Sequence, residues 1–218
     1  MSRTIVYIDG FNLYYRALKG TPHKWLDVEA LCHATLPSTA RLVGINYYTA
    51  RISGRLDVGA PARQHAYLSA IGTLPLVKVH YGRFMVNATW AGLVQPPEFR
   101  PTCSLPAGAV PEVACIWKTE EKGSDVNLGV HLVRDALTNA FDEAAVLTND
   151  TDLVEPLRIV TQEAKLPLTL LTPVSQPAAS LVQVATHVRH IRPYIAPCQF
   201  STSLTGANGK LITKPASW

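Results

Sequence analysis

The chain has 218 residues, 47% hydrophobic and 17% charged, with a formal net charge of +4 from 20 basic and 16 acidic side chains. That composition excludes an intrinsically disordered polymer, and the length predicts one domain with a sizeable core. No apolar run approaches the ~20 residues of a membrane span. Asp9 interrupts the short run Ile5-Val6-Tyr7-Ile8, so the amino terminus does not read as a signal peptide. Cys32, Cys103, Cys115 and Cys198 lack C-x-x-C spacing; they suggest neither a zinc site nor a disulfide framework, and predict a reducing, cytoplasmic setting. The mild positive charge permits an anionic partner without demanding one.

In chain order, residues 4–8 are apolar and β-branched and run into Asp9-Gly10, which predicts a buried strand and a sharp turn. Residues 12–18 predict a short helix stopped at Gly20, and Asp27 stands in N-cap position for a second helix. Residues 43–52, rich in Ile and Tyr, predict another strand. Pro61 sits where a first helical residue would, ahead of a helix closing at Gly72, and residues 76–81 predict a third strand. Residues 85–111 break the periodicity with Pro96, Pro97, Pro101, Pro106 and Pro111, and are expected to form an inserted excursion. Residues 113–118 are strand-like.

Ser124 is placed to cap a long helix running to about residue 140. Within it Val126, Val130, Val133 and Leu137 recur at helical spacing, opposite a polar stripe of Asn127, His131, Arg134 and Asp135. Residues 144–147 predict a strand ending in Thr148-Asn149-Asp150-Thr151-Asp152. A helix to about residue 164, a strand at 168–171, a short helix near 180–184 and a strand near 187–191 follow. The expected organisation is one domain over 1–193, with 85–111 as a proline-rich insertion, and a tail over 194–218. Phe200, Leu204, Leu211, Ile212 and Trp218 make that tail apolar enough to pack back on the domain, against an insertion that carries Trp90 and Phe99. Strands alternating with helices, and apolar on both faces, predict an α/β fold: a doubly wound, mostly parallel sheet with helices on both faces.

No G-x-G-x-x-G follows the first strand, and neither G-x-x-x-x-G-K-[ST] nor G-x-S-x-G occurs, which removes the main support for dinucleotide, P-loop and hydrolase-elbow readings. Carboxylates stand in their place. Asp9 ends the first strand, Asp150 and Asp152 follow the strand at 144–147, and Asp125 opens the long helix. Doubly wound sheets bind ligands outside the carboxyl ends of their strands, so these acids are expected to share a crevice. Four carboxylates around one point repel unless a cation neutralises them, and all-oxygen ligation suits Mg²⁺ or Mn²⁺. Such a site polarises a phosphate and generates hydroxide from bound water. Each acid also has a structural explanation: a turn at Asp9-Gly10, a macrodipole partner at Asp125, a cap at Asp150 and Asp152.

Three segments resemble the signature blocks of the NYN family, within the PIN-like nuclease superfamily. They are Tyr7-Ile8-Asp9-Gly10-Phe11-Asn12-Leu13, Lys122-Gly123-Ser124-Asp125-Val126-Asn127-Leu128 and Thr148-Asn149-Asp150-Thr151-Asp152-Leu153. The resemblance covers most of residues 4–192 and implies a PIN-like fold and a metal-dependent ribonuclease. It implies that Asp9, Asp125, Asp150 and Asp152 are catalytic and hold Mg²⁺ or Mn²⁺, and that Asn12 orients Asp9 or touches the phosphate. Thr148-Asn149 stands where many relatives have Ser-Gly, keeping a hydroxyl and adding an amide beside the substrate. His131 stands where relatives often have Asp.

Among the remaining residues, Lys122 is placed for a phosphate contact or is simply solvated. Arg51, with Arg55, Lys78 and Arg83, is interleaved with Tyr47, Tyr48 and Tyr81. Such a basic and aromatic surface suits single-stranded RNA, although strand alternation must bury some of the tyrosines. Glu155 reads as a helix-start acid. The expected activity is hydrolysis of RNA phosphodiester bonds at the aspartate cluster. The alternatives are a noncatalytic RNA-binding or scaffold protein with a structural metal site, and a metal-dependent phosphohydrolase of small nucleotides.

Overall fold

The computed structural model describes every residue except 96, 100–110, 207 and 208. Among the described residues, seven strands form one sheet in the order β4-β3-β2-β1-β5-β6-β7. At its centre is β1 (Ser2–Asp9), whose Val6, Tyr7 and Ile8 are fully buried because both sheet faces are covered. It pairs in parallel with β2 (Ala40–Ala50) and β5 (Glu143–Leu147). The sheet extends in parallel through β3 (Val77–Gly92) on one side and β6 (Leu168–Thr172) and β7 (His187–His190) on the other. β4 (Val113–Lys122) closes one edge antiparallel to β3. This is a mostly parallel α/β architecture.

Local chemistry sets the connections. Asp9 accepts the Asn12 N–H and so caps α1 (Gly10–Leu13), which continues as a π-helical turn over Tyr14–Leu18. The chain then turns at Gly20, whose φ of +79° favours a residue without Cβ. Asp27 caps α2 (Val28–Thr35) by accepting the N–H groups of Glu29 at 3.0 Å and Ala30 at 2.9 Å. α3 (Ala60–Ile71) carries Pro61 in its first turn and ends at Gly72. One core packs Val6, Ile8, Leu13, Trp25, Leu31 and Ile71 on one face of the sheet. The other packs Tyr7, Leu128, Leu132, Val146, Leu153 and Leu170.

Three local expectations change. β3 does not stop near residue 81; it continues to Gly92 and pairs with β4 from Arg83↔Lys122 to Gly92↔Val113. The first part of the expected excursion is therefore a two-stranded ribbon, whose ladder satisfies backbone groups that an irregular loop would leave open. Pro101, Pro106 and most of the rest of that insertion lie outside the described residues.

The second change concerns α4 (Ser124–Leu137), which buries Leu128, Leu132, Asp135 and Ala136 and leaves Val126, Val130 and Leu137 exposed. Burying Asp135 is tolerable because the Tyr7 hydroxyl donates to it at 2.7 Å and Arg134 pairs with it at 2.6 Å. Third, Ser124 is the first helical residue rather than the cap. Its N–H donates instead to Glu121 Oε1 at 3.0 Å, and Gly123 makes the turn with φ +91°.

The rest of the chain is short elements. A 3-10 turn (Thr151–Leu153), α5 (Val154–Arg158) and a π-helical turn (Ile159–Glu163) lie between β5 and β6. Then come α6 (Ala179–Val184), α7 (Arg192–Ile195) and a hairpin of β8 (Ser203–Thr205) with β9 (Leu211–Thr213). The tail docks on Trp25, whose Nε1 donates to the Ser201 carbonyl at 2.8 Å. The Trp25 ring meets Phe200 at 5.8 Å and Trp218 at 6.3 Å, whereas Trp90 stands 72% exposed on the ribbon.

A histidine cluster ties α4 to the sheet. His80 stacks on Tyr48 with centroids 4.8 Å apart, and His131 lies 4.8 Å from His80 and hydrogen-bonds the Tyr48 hydroxyl at 3.0 Å. Partial burial, with His131, Lys78 and Arg134 nearby, pushes His80 down to about 4, against the weaker opposing pull of Asp135. The unfolded chain therefore binds a proton below about pH 6.5 that the fold refuses until about pH 4. Stability contributed by neutral His80 is present above that window and lost across it as pH falls. The wild-type advantage over His80→Asn in urea midpoint is expected to shrink from pH 7.5 to pH 4.5; a constant difference would refute the assignment.

Candidate functional site

Two concavities adjoin at the carboxyl end of β1. The first is a polar crevice lined by Asp9, Asn12, Arg16, Glu121, Asp125 and Asp150, with Phe11 and Tyr15 at its side. Asp9 is 8% exposed. Its Oδ1 accepts the Asn12 N–H at 2.9 Å and its Oδ2 the Thr148 hydroxyl at 3.3 Å. Burial lifts its carboxyl to about 6 against the pull of the Asn12 N–H, and the charges of Asp150 and Glu121 add to the rise.

The segment after β5 is locked to α1 through side chains. The Asn149 N–H donates to Asn12 Oδ1 at 3.0 Å, the Asp150 N–H to the Thr148 hydroxyl at 3.0 Å, and the Ala178 N–H to Asn149 Oδ1 at 2.9 Å. Asn12, Thr148 and Asn149 thus hold the loops together. Asp150 Oδ1 accepts the Asp152 N–H at 3.1 Å.

The four expected metal ligands do not form one cage. Asp9, Asp125 and Asp150 line the crevice, but Asp125 Oδ1 accepts the N–H of Val126 at 2.8 Å, on its own helix. Asp152 is exposed and lines a different groove, between α4 and α5 with Val126, Val130 and Pro156. Among the described residues no group of three or more His, Cys, Asp or Glu side chains is placed to hold a metal ion. The expected Mg²⁺- or Mn²⁺-binding centre is thus not assembled as one cluster of four: Asp9, Asp125 and Asp150 share a crevice and Asp152 stands apart.

The basic residues are spread out. Arg51 lies over Tyr81 at 4.9 Å and Arg55 over Trp117 at 4.2 Å. Lys122 is 3.6 Å from Glu120, and Glu155 pairs with Arg158 at 2.6 Å. Of the interleaved tyrosines, Tyr47 and Tyr48 are buried and Tyr81 is exposed.

The second concavity, which no motif announced, is an aromatic cavity of about 380 Å³. Its walls include Phe11, Tyr14, Tyr15, Tyr47, Tyr67 and Trp218, with Lys19, Lys24 and Arg63 also on its lining. Phe11 and Tyr15 belong to both concavities. Gly10 permits the close approach: a Cβ there would stand 2.7 Å from both Tyr47 Cζ and the Tyr48 carbonyl oxygen. Arg63 is paired with Asp57, and the Lys19 ammonium sits 4.8 Å from the Tyr15 ring centroid. Lys24 makes no ion pair among the described residues. A volume of this size falls within the roughly 300–1,000 Å³ of small-molecule sites, which are mostly apolar with a few polar groups. The sequence signal was diffuse, because these walls come from several separated segments.

Fold and site together define an α/β protein with an aromatic cavity of about 380 Å³ beside a buried carboxylate at the strand ends. Over 246 aligned positions the chain is 33% identical to 6-hydroxy-3-succinoylpyridine 3-monooxygenase HspA of Pseudomonas putida, covering 99% of this chain and 75% of the relative. The chain belongs to the family of that monooxygenase. No protein-family model matches it. A crystal structure of a Vibrio parahaemolyticus protein of unknown function aligns with a TM-score of 0.51 at 15% identity, covering 87% of this chain and 93% of that one, and so shares the fold.

The relationship to a monooxygenase overturns the expected ribonuclease, and with it the phosphohydrolase and scaffold alternatives. The expected hydrolysis of phosphodiester bonds is corrected on that finding. No helix among the described residues is long and apolar enough to cross a membrane.

Proposed function

We propose that this chain is a monooxygenase of a small ring-bearing acid. One atom of O₂ would enter the ring and the other would leave as water, with two electrons from an external donor. The aromatic cavity is the observation that carries the reading: stacked and edge-on rings suit a planar substrate, and Lys24 and Lys19 suit its carboxylate. The relative's named substrate, a hydroxypyridine with a succinoyl arm, has that combination.

Asp9 supplies the acid–base function. A buried carboxylate that ionises near 6 is a base at neutral pH, poised close enough to that pH to exchange protons efficiently. Removing the proton from a ring hydroxyl pushes electron density into the ring and makes its carbon a better partner for oxygen. We also read the scaffold as PIN-like, supported by the parallel order β3-β2-β1-β5-β6 with acidic segments after β1 and β5. The test of function is oxygen uptake by the purified protein with NADH or reduced flavin. Uptake that depends on added 6-hydroxy-3-succinoylpyridine is expected. Equal uptake with and without that compound and other hydroxypyridine acids would overturn the proposal.

A further inference from the structure

We infer that the hydroxyls of Tyr47 and Thr49 are the recognition point of the aromatic cavity, selecting a planar ring that bears an oxygen substituent. The inference rests on the monooxygenase reading and names what the cavity selects.

Buried hydroxyls in proteins are nearly always paired, because an unpaired one forfeits its bonds to water. Three buried tyrosines of this fold obey the rule. Tyr7 donates to Asp135 at 2.7 Å, Tyr67 donates to the Leu26 carbonyl at 3.0 Å, and Tyr48 bonds His131 at 3.0 Å. Tyr47 and Thr49, each 4% exposed, have no hydroxyl partner among the described residues, and neither oxygen is among the described side-chain atoms sealed from solvent without one, so both stay open to an incoming ligand. Both line the aromatic cavity. They stand two residues apart on β2, so the pleat directs both side chains to the same face of the sheet.

The pair is held rigidly. The Tyr47 ring lies against Gly10, where a Cβ would come within 2.7 Å of it, and the strand carrying both residues is paired on both sides, with β1 and β3. Burial pushes the Tyr47 phenol well above its usual range, with a smaller contribution from Asp9. It therefore stays protonated and remains a donor at neutral pH. A phenol and an alcohol on the wall of one cavity can each donate to, or accept from, a ring hydroxyl, a ring oxo group or an oxyanion. An unsubstituted ring would leave both unpaired, and a site built on such hydroxyls discriminates strongly against the ligand that lacks the partner.

The test is calorimetric titration, without reductant, of 6-hydroxy-3-succinoylpyridine and of 3-succinoylpyridine, which lacks the ring oxygen. Wild type is expected to prefer the hydroxylated ligand by ~10-fold or more, the worth of one to two buried hydrogen bonds. Tyr47→Phe should lose most of that preference and Thr49→Val part of it, with affinity for 3-succinoylpyridine unchanged or higher. Melting temperatures should match wild type, since neither variant removes a bond within the protein. Equal wild-type affinity for the two ligands, or a preference kept in both variants, would overturn the inference while leaving the monooxygenase reading intact. Failure of wild type to bind either ligand would overturn that reading itself.

Discussion

Asp9→Asn is expected to stabilise the protein while nearly abolishing turnover. The fold raises this carboxyl from 3.8 to about 6, so it favours the protonated form. The sign follows directly: Asp9 adds stability at acid pH that is lost as pH rises through about 6. At neutral pH the buried charge costs up to about 3 kcal/mol, taken at 1.36 kcal/mol per pH unit. Asn is nearly isosteric, keeps an oxygen for the Asn12 N–H and removes that charge. The melting temperature should rise at pH 7.5, and the gain should vanish towards pH 4. Turnover should fall by ~100-fold or more, as expected on removing a general base, and the wild-type kcat/KM should show an acid limb near pH 6. A destabilised but active Asn variant would remove Asp9 from the chemistry.

Trp25→Ala should give the largest loss of stability. Trp25 is fully buried, donates to the Ser201 carbonyl and packs edge-on against Phe200 and Trp218 and tilted against Tyr67. Truncating such a ring costs roughly 3–5 kcal/mol, which for a chain of this size lowers the melting temperature by about 10 °C. It also frees the tail whose Trp218 walls the cavity, so ligand affinity should fall more than the melting shift alone explains. Binding at 20 °C, well below the transition, separates the two effects. Unchanged affinity there would mean that the tail plays no part in the site.

The contrast between Asp9 and Trp218 shows what was legible. Asp9, Asp150 and the turn at Gly10 could be placed because strand ends announce themselves by an apolar run meeting a turn residue. Asp27 and Gly72 likewise carry their roles in their chemistry, as helix cap and stop. The long helix was ambiguous for a physical reason. Its sequence offers two apolar stripes, Val126-Val130-Val133-Leu137 and Leu128-Leu132-Ala136, and only packing against β1 selects the second. The ribbon was hidden because Ala88-Thr89-Trp90 needs a partner strand some 25 residues on before it has any reason to be extended.

The cavity was hardest to foresee. Tyr14 and Tyr15 come from a π-helical turn, Tyr47 and Thr49 from a strand, Tyr67 from a helix and Trp218 from the tail. None belongs to a motif, and strand alternation said only that some tyrosines would be buried. A buried carboxylate at a strand end does not name its own chemistry; the relationship to a monooxygenase is what turns the reading away from hydrolysis.

The most direct measurement is mass spectrometry of the product formed from 6-hydroxy-3-succinoylpyridine and a two-electron donor under ¹⁸O₂ in ordinary water. The expected result is one ¹⁸O atom in each product molecule, with the second recovered as labelled water. A product whose new oxygen comes from the solvent, or substrate recovered unchanged while the donor is oxidised, would contradict the assignment.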